Sequence, residues 1–331
     1  MAAKPENETS GTTNGWTVWP APAKLNLFLH IVGRRADGYH ELQTVFQILD
    51  RGDLIGLRSR ADGVIARTGV VAGVAFESDL AIRAAQCLRG ATGSVLGADI
   101  DIRKFLPIGA GLGGGSSDAA TVLVGLNAMW NTGLSSEELA QLGLALGADV
   151  PVFVQGHTAF AEGIGERLQE ITLPEHWYFV VDPGIGVPTR ELFQSPELTR
   201  AMPTTTIHGS LADIERGYNA FEPVVRERYP EVARIFDWLE RVRFESDFLD
   251  LDGSPQSGRP HLSGSGGSVF VMIASETVGR KLAEQCPAGA RAVVARGVAK
   301  SPLIEALECW QNDPKRIGAD TEITFGASPS W

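Results

Sequence analysis

Between Pro107 and Ala120 the chain reads Pro-Ile-Gly-Ala-Gly-Leu-Gly-Gly-Gly-Ser-Ser-Asp-Ala-Ala, with glycine at positions 109, 111, 113, 114 and 115. Glycine has no Cβ to hold a polyanion at a distance and adopts positive φ freely, so consecutive N–H groups can converge on phosphate oxygens. The apolar periodicity beyond it predicts a helix over roughly 116–131. The first unpaired N–H groups of such a helix, and the positive end of its dipole, would add to a phosphate cradle. Ser116 and Ser117 stand where they could cap that helix or hold a metal-bound phosphate oxygen. A flexible linker of similar composition would have polar flanks, and here both flanks are apolar.

Spacing separates the chemistries that use such loops. A Walker loop needs Gly-Lys-Ser/Thr at its end, and no lysine lies between Lys104 and Lys281. A dinucleotide fingerprint is matched by Gly109, Gly111 and Gly114, but it requires an acidic residue closing the second strand. Glu137 and Glu138 lie near that distance at what reads as a helix start. The Val-Ala-Ile-Lys, His-Arg-Asp and Asp-Phe-Gly signatures of protein kinases are absent. What remains, P-x-x-x-G-L-G-G-G-S-S, resembles the ATP loop of the GHMP small-molecule kinases, the group of galactokinase, homoserine, mevalonate and phosphomevalonate kinases. The resemblance implies that Pro107, Ile108, Gly109, Ala110, Gly111, Leu112, Gly113, Gly114, Gly115, Ser116 and Ser117 bind ATP.

A second block is more specific. Leu25, Leu27, Leu29 and Ile31 alternate with Asn26, Phe28 and His30, which predicts a strand over 16–34 with Lys24 and Asn26 on one face. A lysine in such a strand is ordinarily a solvated edge residue. The run from Pro22 through the Asp37-Gly38 turn to Gln47, with Tyr39 and His40 directly after the turn, resembles the 4-diphosphocytidyl-2-C-methyl-D-erythritol kinase family of the non-mevalonate isoprenoid route. That likeness implies that Tyr39 packs on the cytosine of the substrate and His40 hydrogen-bonds it, with Asn26 also in the substrate site. Gly147-Ala-Asp-Val-Pro151 resembles the family segment with the catalytic aspartate, here Asp149 between a helix stop and an expected proline-led strand. Val187 to Phe193 resembles the segment lining the cytidine pocket, with Thr189 and Phe193 at the matching positions. Leu262-Ser-Gly-Ser-Gly-Gly-Ser268 resembles the third family motif, whose small residues let backbone approach the first glycine loop. Two departures stand out: Ala220 where the family more often has aspartate, and an inserted acidic surface loop over 244–261.

The elements that must hold these residues are those of an ordinary globular chain. Its 331 residues, 44% apolar and 21% charged, can bury a core without staples. A formal charge of −11 argues against nucleic acid or an anionic membrane as partner, leaving a small-molecule substrate held by local amides and a few cations. Cys87, Cys286 and Cys309 are too few and too dispersed for a disulfide framework or zinc site, and read as buried structural residues in a reducing compartment. Residues 1–14 are polar and read as a disordered tail, with neither a secretory signal nor a spanning segment, so a cytoplasmic location is expected. Helices are expected over 80–90 and 278–286, a capping box at Ser135 and Glu138, a buried strand over 177–181, and a loosely ordered end from Asp313.

The family resemblance implies an α+β chain of two domains. One is like domain 2 of ribosomal protein S5, over 15–160, and binds ATP; the other, over 161–331, is ferredoxin-like and contributes to substrate binding. It further implies that ATP with Mg²⁺ phosphorylates the 2-hydroxyl of the cytidyl substrate. Asp149 would take the hydroxyl proton, and Lys24 would lower the effective pKa of that hydroxyl and keep Asp149 ionised. Ser117 and Asp118 are candidates for the metal, whose ligands the sequence does not assign. The competing readings are a GHMP kinase acting on mevalonate, homoserine or a sugar, against which the Asp37-Gly-Tyr-His40 block argues, and a silent ligand sensor on the same fold, against which the intact Lys24 and Asp149 argue; the sequence does not give the oligomeric state.

Overall fold

Two long strands, β1 (Thr17–Arg34) and β2 (His40–Arg60), form an antiparallel ribbon that everything else covers. The computed structural model describes residues 15–209, 214, 217–245 and 259–314. The expected N-terminal tail, most of the expected loop over 244–261 and all but the first two residues of the C-terminal end lie outside the described residues. Burial in β1 runs almost unbroken from Trp19 to Ile31, so the anticipated alternation has no polar-out face. A strand covered on both sides loses that alternation. Its register shifts between Pro22 and Lys24 and again between Asn26 and Leu29. Such bulges re-aim side chains, and these two bracket Lys24 and Asn26.

β3 (Ile65–Arg67), the Asp79-capped helix α1 (Leu80–Thr92) and β4 (Gly97–Arg103) follow, with β4 antiparallel to β2. Helix α2 (Gly114–Met129) starts two residues before the expected Ser116, with Gly113 at its N-cap, so neither serine caps it; Ser117 is buried inside its first turn. α3 (Ser136–Leu144) carries the predicted capping box between Ser135 and Glu138. The expected strand after Asp149 is instead a helix, α4 (Val150–Gln155). Pro151 fits its first turn, where a missing N–H leaves no bond unmade, and the buried apolar run is equally consistent with a short core helix.

The hairpin β5 (Ala159–Gly163) and β6 (Arg167–Glu170) joins β2. β7 (Trp177–Asp182), α5 (Thr189–Gln194), α6 (Glu222–Arg228) and α7 (Pro230–Glu245) come next. The described chain closes with β8 (His261–Leu262), β9 (Val269–Ile273), α8 (Glu276–Ala283), β10 (Arg291–Val298) and α9 (Pro302–Asn312). Along the sheet the order is β3-β4-β2-β10-β7-β9-β8, with β1 and β5 also on β2. The ladder at the joint is short, with β10 paired to β2 at Gly297 opposite Leu49 and Val298 opposite Ile48, and Arg296 N adds a bond to Asp50 Oδ1 at 2.8 Å.

One core gathers Trp19, Phe46 and Ile55 with α1, α2 and α4, and α9 returns to it, Trp310 lying 5.7 Å from Trp19. A second surrounds Phe179, Phe221 and Phe236. A third cluster, with Leu25 and Phe28 of β1, Tyr178 of β7 and Phe270 of β9, also takes in Leu106, Ala110 and Leu112, and so seats the glycine loop against the sheet. The reading of all three cysteines as buried is corrected: Cys87 and Cys286 are half-buried, Cys309 is exposed, and all are free thiols. Among the described residues no helix is long and apolar enough to cross a membrane.

Candidate active site

The carbonyls and the amides of the glycine loop point to different fates. Ala110 O accepts from Ser268 N at 3.1 Å, Leu112 O from Lys24 N at 3.1 Å, and Gly113 O from Ser117 N at 2.8 Å. Gly111 O accepts from Lys24 Nζ at 2.9 Å and from Ser263 Oγ at 3.0 Å. The N–H groups from Gly109 to Ser116, by contrast, donate to no group among the described residues. With the carbonyls engaged by the protein body, those donors are left for a ligand rich in acceptors. The loop lines a cavity of about 360 Å³ whose other walls include Val71, Val74, Leu80, Ile102 and Lys104.

Two of its glycines are irreplaceable for different reasons. Gly111, at φ +82°, is pressed by the third motif: a Cβ there would lie 2.0 Å from Ser263 O. Gly113, at φ +74°, lies against Phe153 and Lys24, where a Cβ would come within 2.7 Å of the Phe153 ring and 3.2 Å of Lys24 Cε. The approach of the two glycine motifs that the sequence suggested is therefore close enough to exclude side chains.

Lys24 is 3% exposed, and its ammonium is surrounded by Asn26 Oδ1 at 2.5 Å, Gly111 O at 2.9 Å and Asp149 Oδ2 at 3.5 Å. Asn26 is held in turn by donating to Thr44 Oγ1 at 2.9 Å, and Thr44 donates to Phe28 O. Asp149 sits at the N-cap of α4 without capping it, so its carboxylate, one-third exposed, is not spent on that helix's amides. A cation with its donors fixed can hold an alcohol oxygen while the partly exposed carboxylate beside it takes the proton.

Beneath the loop is a cluster that sequence reasoning missed. Lys104 Nζ donates to Asp118 Oδ2 at 2.8 Å and to Asp53 Oδ2, while Asp53 Oδ1 accepts from the N–H groups of Phe105 and Leu106 at 2.6 and 2.7 Å. Burial pushes the Asp118 carboxyl up to about 8; Lys104 pulls against this, and the second carboxylate, Asp53, adds to it. Lys104 is itself raised: burial works against its charge, but the two carboxylates outweigh it. Asp118 Oδ1 and Ser117 Oγ are buried and have no partner among the described residues. Nothing local in the sequence pairs residue 53 with residue 118, since the contact joins strand β2 to helix α2 through Lys104.

On the far side, the residues expected to meet the base come together unevenly. His40 lies flat on Phe193, ring centroids 4.8 Å apart and planes at 19°, and Phe193 is braced edge-on by Phe221 at 4.9 Å. Tyr39 is 61% exposed at the turn. Thr189 is hydroxyl-bonded to Ser265 of the third motif at 2.6 Å, linking α5 to the loop that touches Gly111. Burial first, then the cations Arg200 and Arg34, hold the His40 imidazole below its ordinary range, and its Nε2 is buried without a partner. Ser263, Ser265 and Arg200 carried no individual signal in the sequence.

A glycine-loop amide cradle beside a buried lysine and an aspartate defines a small-molecule kinase of the GHMP type, and the family model "GHMP kinases N terminal domain" matches residues 79–157, the stretch holding both the loop and Asp149. The chain is 52% identical over 301 residues to a 4-diphosphocytidyl-2-C-methyl-D-erythritol kinase of Xanthomonas axonopodis pv. citri, covering 89% of this chain and 95% of the relative. With a kinase of the same name from Halorhodospira halophila the identity is 50% over 291 residues, 87% of this chain and 95% of the relative. A crystal structure of 4-(cytidine 5'-diphospho)-2C-methyl-D-erythritol kinase superimposes with a TM-score of 0.70 at 34% identity, covering 85% of this chain and 99% of that one. The chain belongs to the 4-diphosphocytidyl-2-C-methyl-D-erythritol kinase family. Its fold is the α+β GHMP kinase fold.

Proposed function

We infer that the protein transfers the γ-phosphoryl group of ATP to the 2-hydroxyl of 4-diphosphocytidyl-2-C-methyl-D-erythritol. The bond from Pγ to its bridging oxygen breaks, a bond from Pγ to the acceptor oxygen forms, the hydroxyl proton passes to Asp149, and ADP leaves. Lys24 faces the oxygen as its negative charge develops, and the amides from Gly109 to Ser116 take the charge of the phosphates. The observation that carries this reading is the juxtaposition of Lys24 and Asp149, at 3.5 Å, with a loop whose carbonyls are engaged and whose N–H groups are not.

Tyr39, His40, Asn26, Thr189 and Phe193 form the substrate side, where ring stacking and hydrogen bonds read the base in a chain too acidic for nonspecific attraction. Mg²⁺ fits the floor of the loop, where Ser117 and Asp118 offer unpartnered buried oxygens; when bound it neutralises phosphate charge. The division into an ATP-binding part, 15–160, and a substrate-contributing part, 161–331, belongs to the same reading. Separate cores around Trp19 and Phe179 support it, with α9 packing back on the first. A cytoplasmic setting accords with the free thiols.

The deciding experiment offers ATP and Mg²⁺ with the cytidyl substrate, free methylerythritol 4-phosphate, mevalonate and homoserine in parallel. ADP forms with the first alone on this reading; ADP with mevalonate or homoserine instead overturns it, and no ADP with any of them favours a ligand sensor.

A further inference from the structure

Phe193 lies near the end of a six-residue helix, α5, whose C-cap, Ser195, is already extended. So short a helix leaves its last carbonyls without intrahelical partners, and here a single side chain caps Phe193 O together with two carbonyls just beyond the helix. Arg200 Nη2 donates to Phe193 O at 3.0 Å and Ser195 O at 2.5 Å, and Nη1 donates to Leu198 O at 3.1 Å. The segment bearing Arg200 is itself anchored to β1, Met202 N donating to Ile31 O at 2.9 Å. The planar guanidinium makes such a multidentate grip, which a lysine cannot.

We propose that Arg200 is a positioning residue for recognition of the substrate's base, fixing the Phe193 ring through three backbone carbonyls and presenting its cation to His40. The proposal rests on the assignment of His40 and Phe193 to the base pocket. Among the described residues Arg200 makes no salt bridge, and after burial its cation contributes most to keeping the His40 imidazole neutral. The other cation acting on His40 is Arg34, opposite it in the β1–β2 ribbon. Of the nearby acids, Asp37 is bound to Arg35 at 2.8 Å and to Tyr39 N at 3.1 Å, and Glu41 lies over Gly33 on the opposite side of the strand. From α5 and the start of α6 His40 is met by the uncharged rings of Phe193 and, behind it, Phe221. A neutral imidazole can accept at its unpartnered Nε2 from a donor such as an exocyclic amine, and an imidazolium cannot.

Two variants of the full chain separate the two effects. Arg200→Lys keeps the charge and loses the fork; Arg200→Gln keeps a donor and loses the charge. For Arg200→Lys the KM for the cytidyl substrate rises about tenfold, with the KM for ATP within about twofold and the acid limb of kcat/KM where the unaltered protein has it. For Arg200→Gln that limb moves to higher pH, so activity at pH ~6 relative to pH ~8 drops about fourfold further. In ligand-free protein the His40 ring proton, followed by NMR, titrates at higher pH in Arg200→Gln than in the unaltered chain. Equal rises in both KM values, or superimposable His40 titrations, overturn the proposal. Absence of turnover by the unaltered enzyme would instead overturn the substrate assignment, and the titration still decides whether Arg200 governs His40.

Discussion

On the glycine-loop wall, what a ligand meets is main chain: amides from Gly109 to Ser116, with the carbonyls bonded inward and the loop seated on the core through Ala110 and Leu112. At the proposed base site a ligand would meet side chains: the stacked rings of His40 and Phe193, the hydroxyl of Thr189 and the exposed ring of Tyr39. The first wall is fixed by covalent geometry and by contacts a Cβ would destroy, while the second is fixed by a few hydrogen bonds around α5. A triphosphate looks much the same to any kinase and suits a backbone cradle, whereas a base must be told from other bases and requires rings and polar edges. On the proposed function, Lys24 and Asp149 stand where the first wall would meet the acceptor.

The comparison is broken most severely at that meeting point. Asp149→Asn should lower kcat by ~100-fold or more while calorimetry shows ATP binding little changed; near-normal turnover removes the proton-acceptor role. Next, Gly113→Ala strikes the main-chain wall alone. A Cβ at φ +74°, 2.7 Å from the Phe153 ring, should lower kcat/KM for ATP about tenfold or more and lower the melting temperature, with saturation by the cytidyl substrate affected less. Phe193→Ala should do the converse, raising the KM for the cytidyl substrate about five- to tenfold and leaving that for ATP unchanged. If the two variants affected both ligands alike, the walls would not be separable.

The smallest effect sharpens the picture of the first wall's charge. With its carboxyl pushed up to about 8 by burial, against Lys104 and with Asp53, folded Asp118 holds a proton that the unfolded chain releases around its ordinary 3.8. The native state then binds more protons than the unfolded one between these values, so the contribution of Asp118 to stability falls as pH rises through that window. In metal-free buffer, Asp118→Asn should lose less melting temperature than the unaltered protein between pH ~6 and ~8.5, by about 2–4 °C. Parallel melting curves would show that Asp118 is already ionised.

The same contrast explains what was legible in the sequence. Runs of glycine, the Ser135–Glu138 capping box and the 3.6-residue periodicity of α2 are local, so the loop and the helix after it could be read directly, apart from the true N-cap at Gly113. The run after Asp149 reads as a strand and is a helix, because a short buried apolar segment is compatible with either until packing decides. The proposed base site was visible only through family likeness, since His40 and Phe193 are single residues brought together by the register of β1 on β2 and the placement of α5, with Tyr39 exposed at the turn. The sequence singles out Asp118 only as a metal candidate, and its pairing with Lys104 and Asp53 joins separated segments; the grip of Arg200 is local but depends on how the chain turns after α5, which no motif marks.

A crystal structure of the protein with a non-hydrolysable ATP analogue and the cytidyl substrate tests the central claim most directly. The account predicts phosphate oxygens about 3 Å from loop amides, with the terminal phosphate and the acceptor hydroxyl meeting beside Asp149. Phosphates bound elsewhere, with those amides still without acceptors, or a hydroxyl beyond reach of the Asp149 carboxylate in the closed complex, would contradict it.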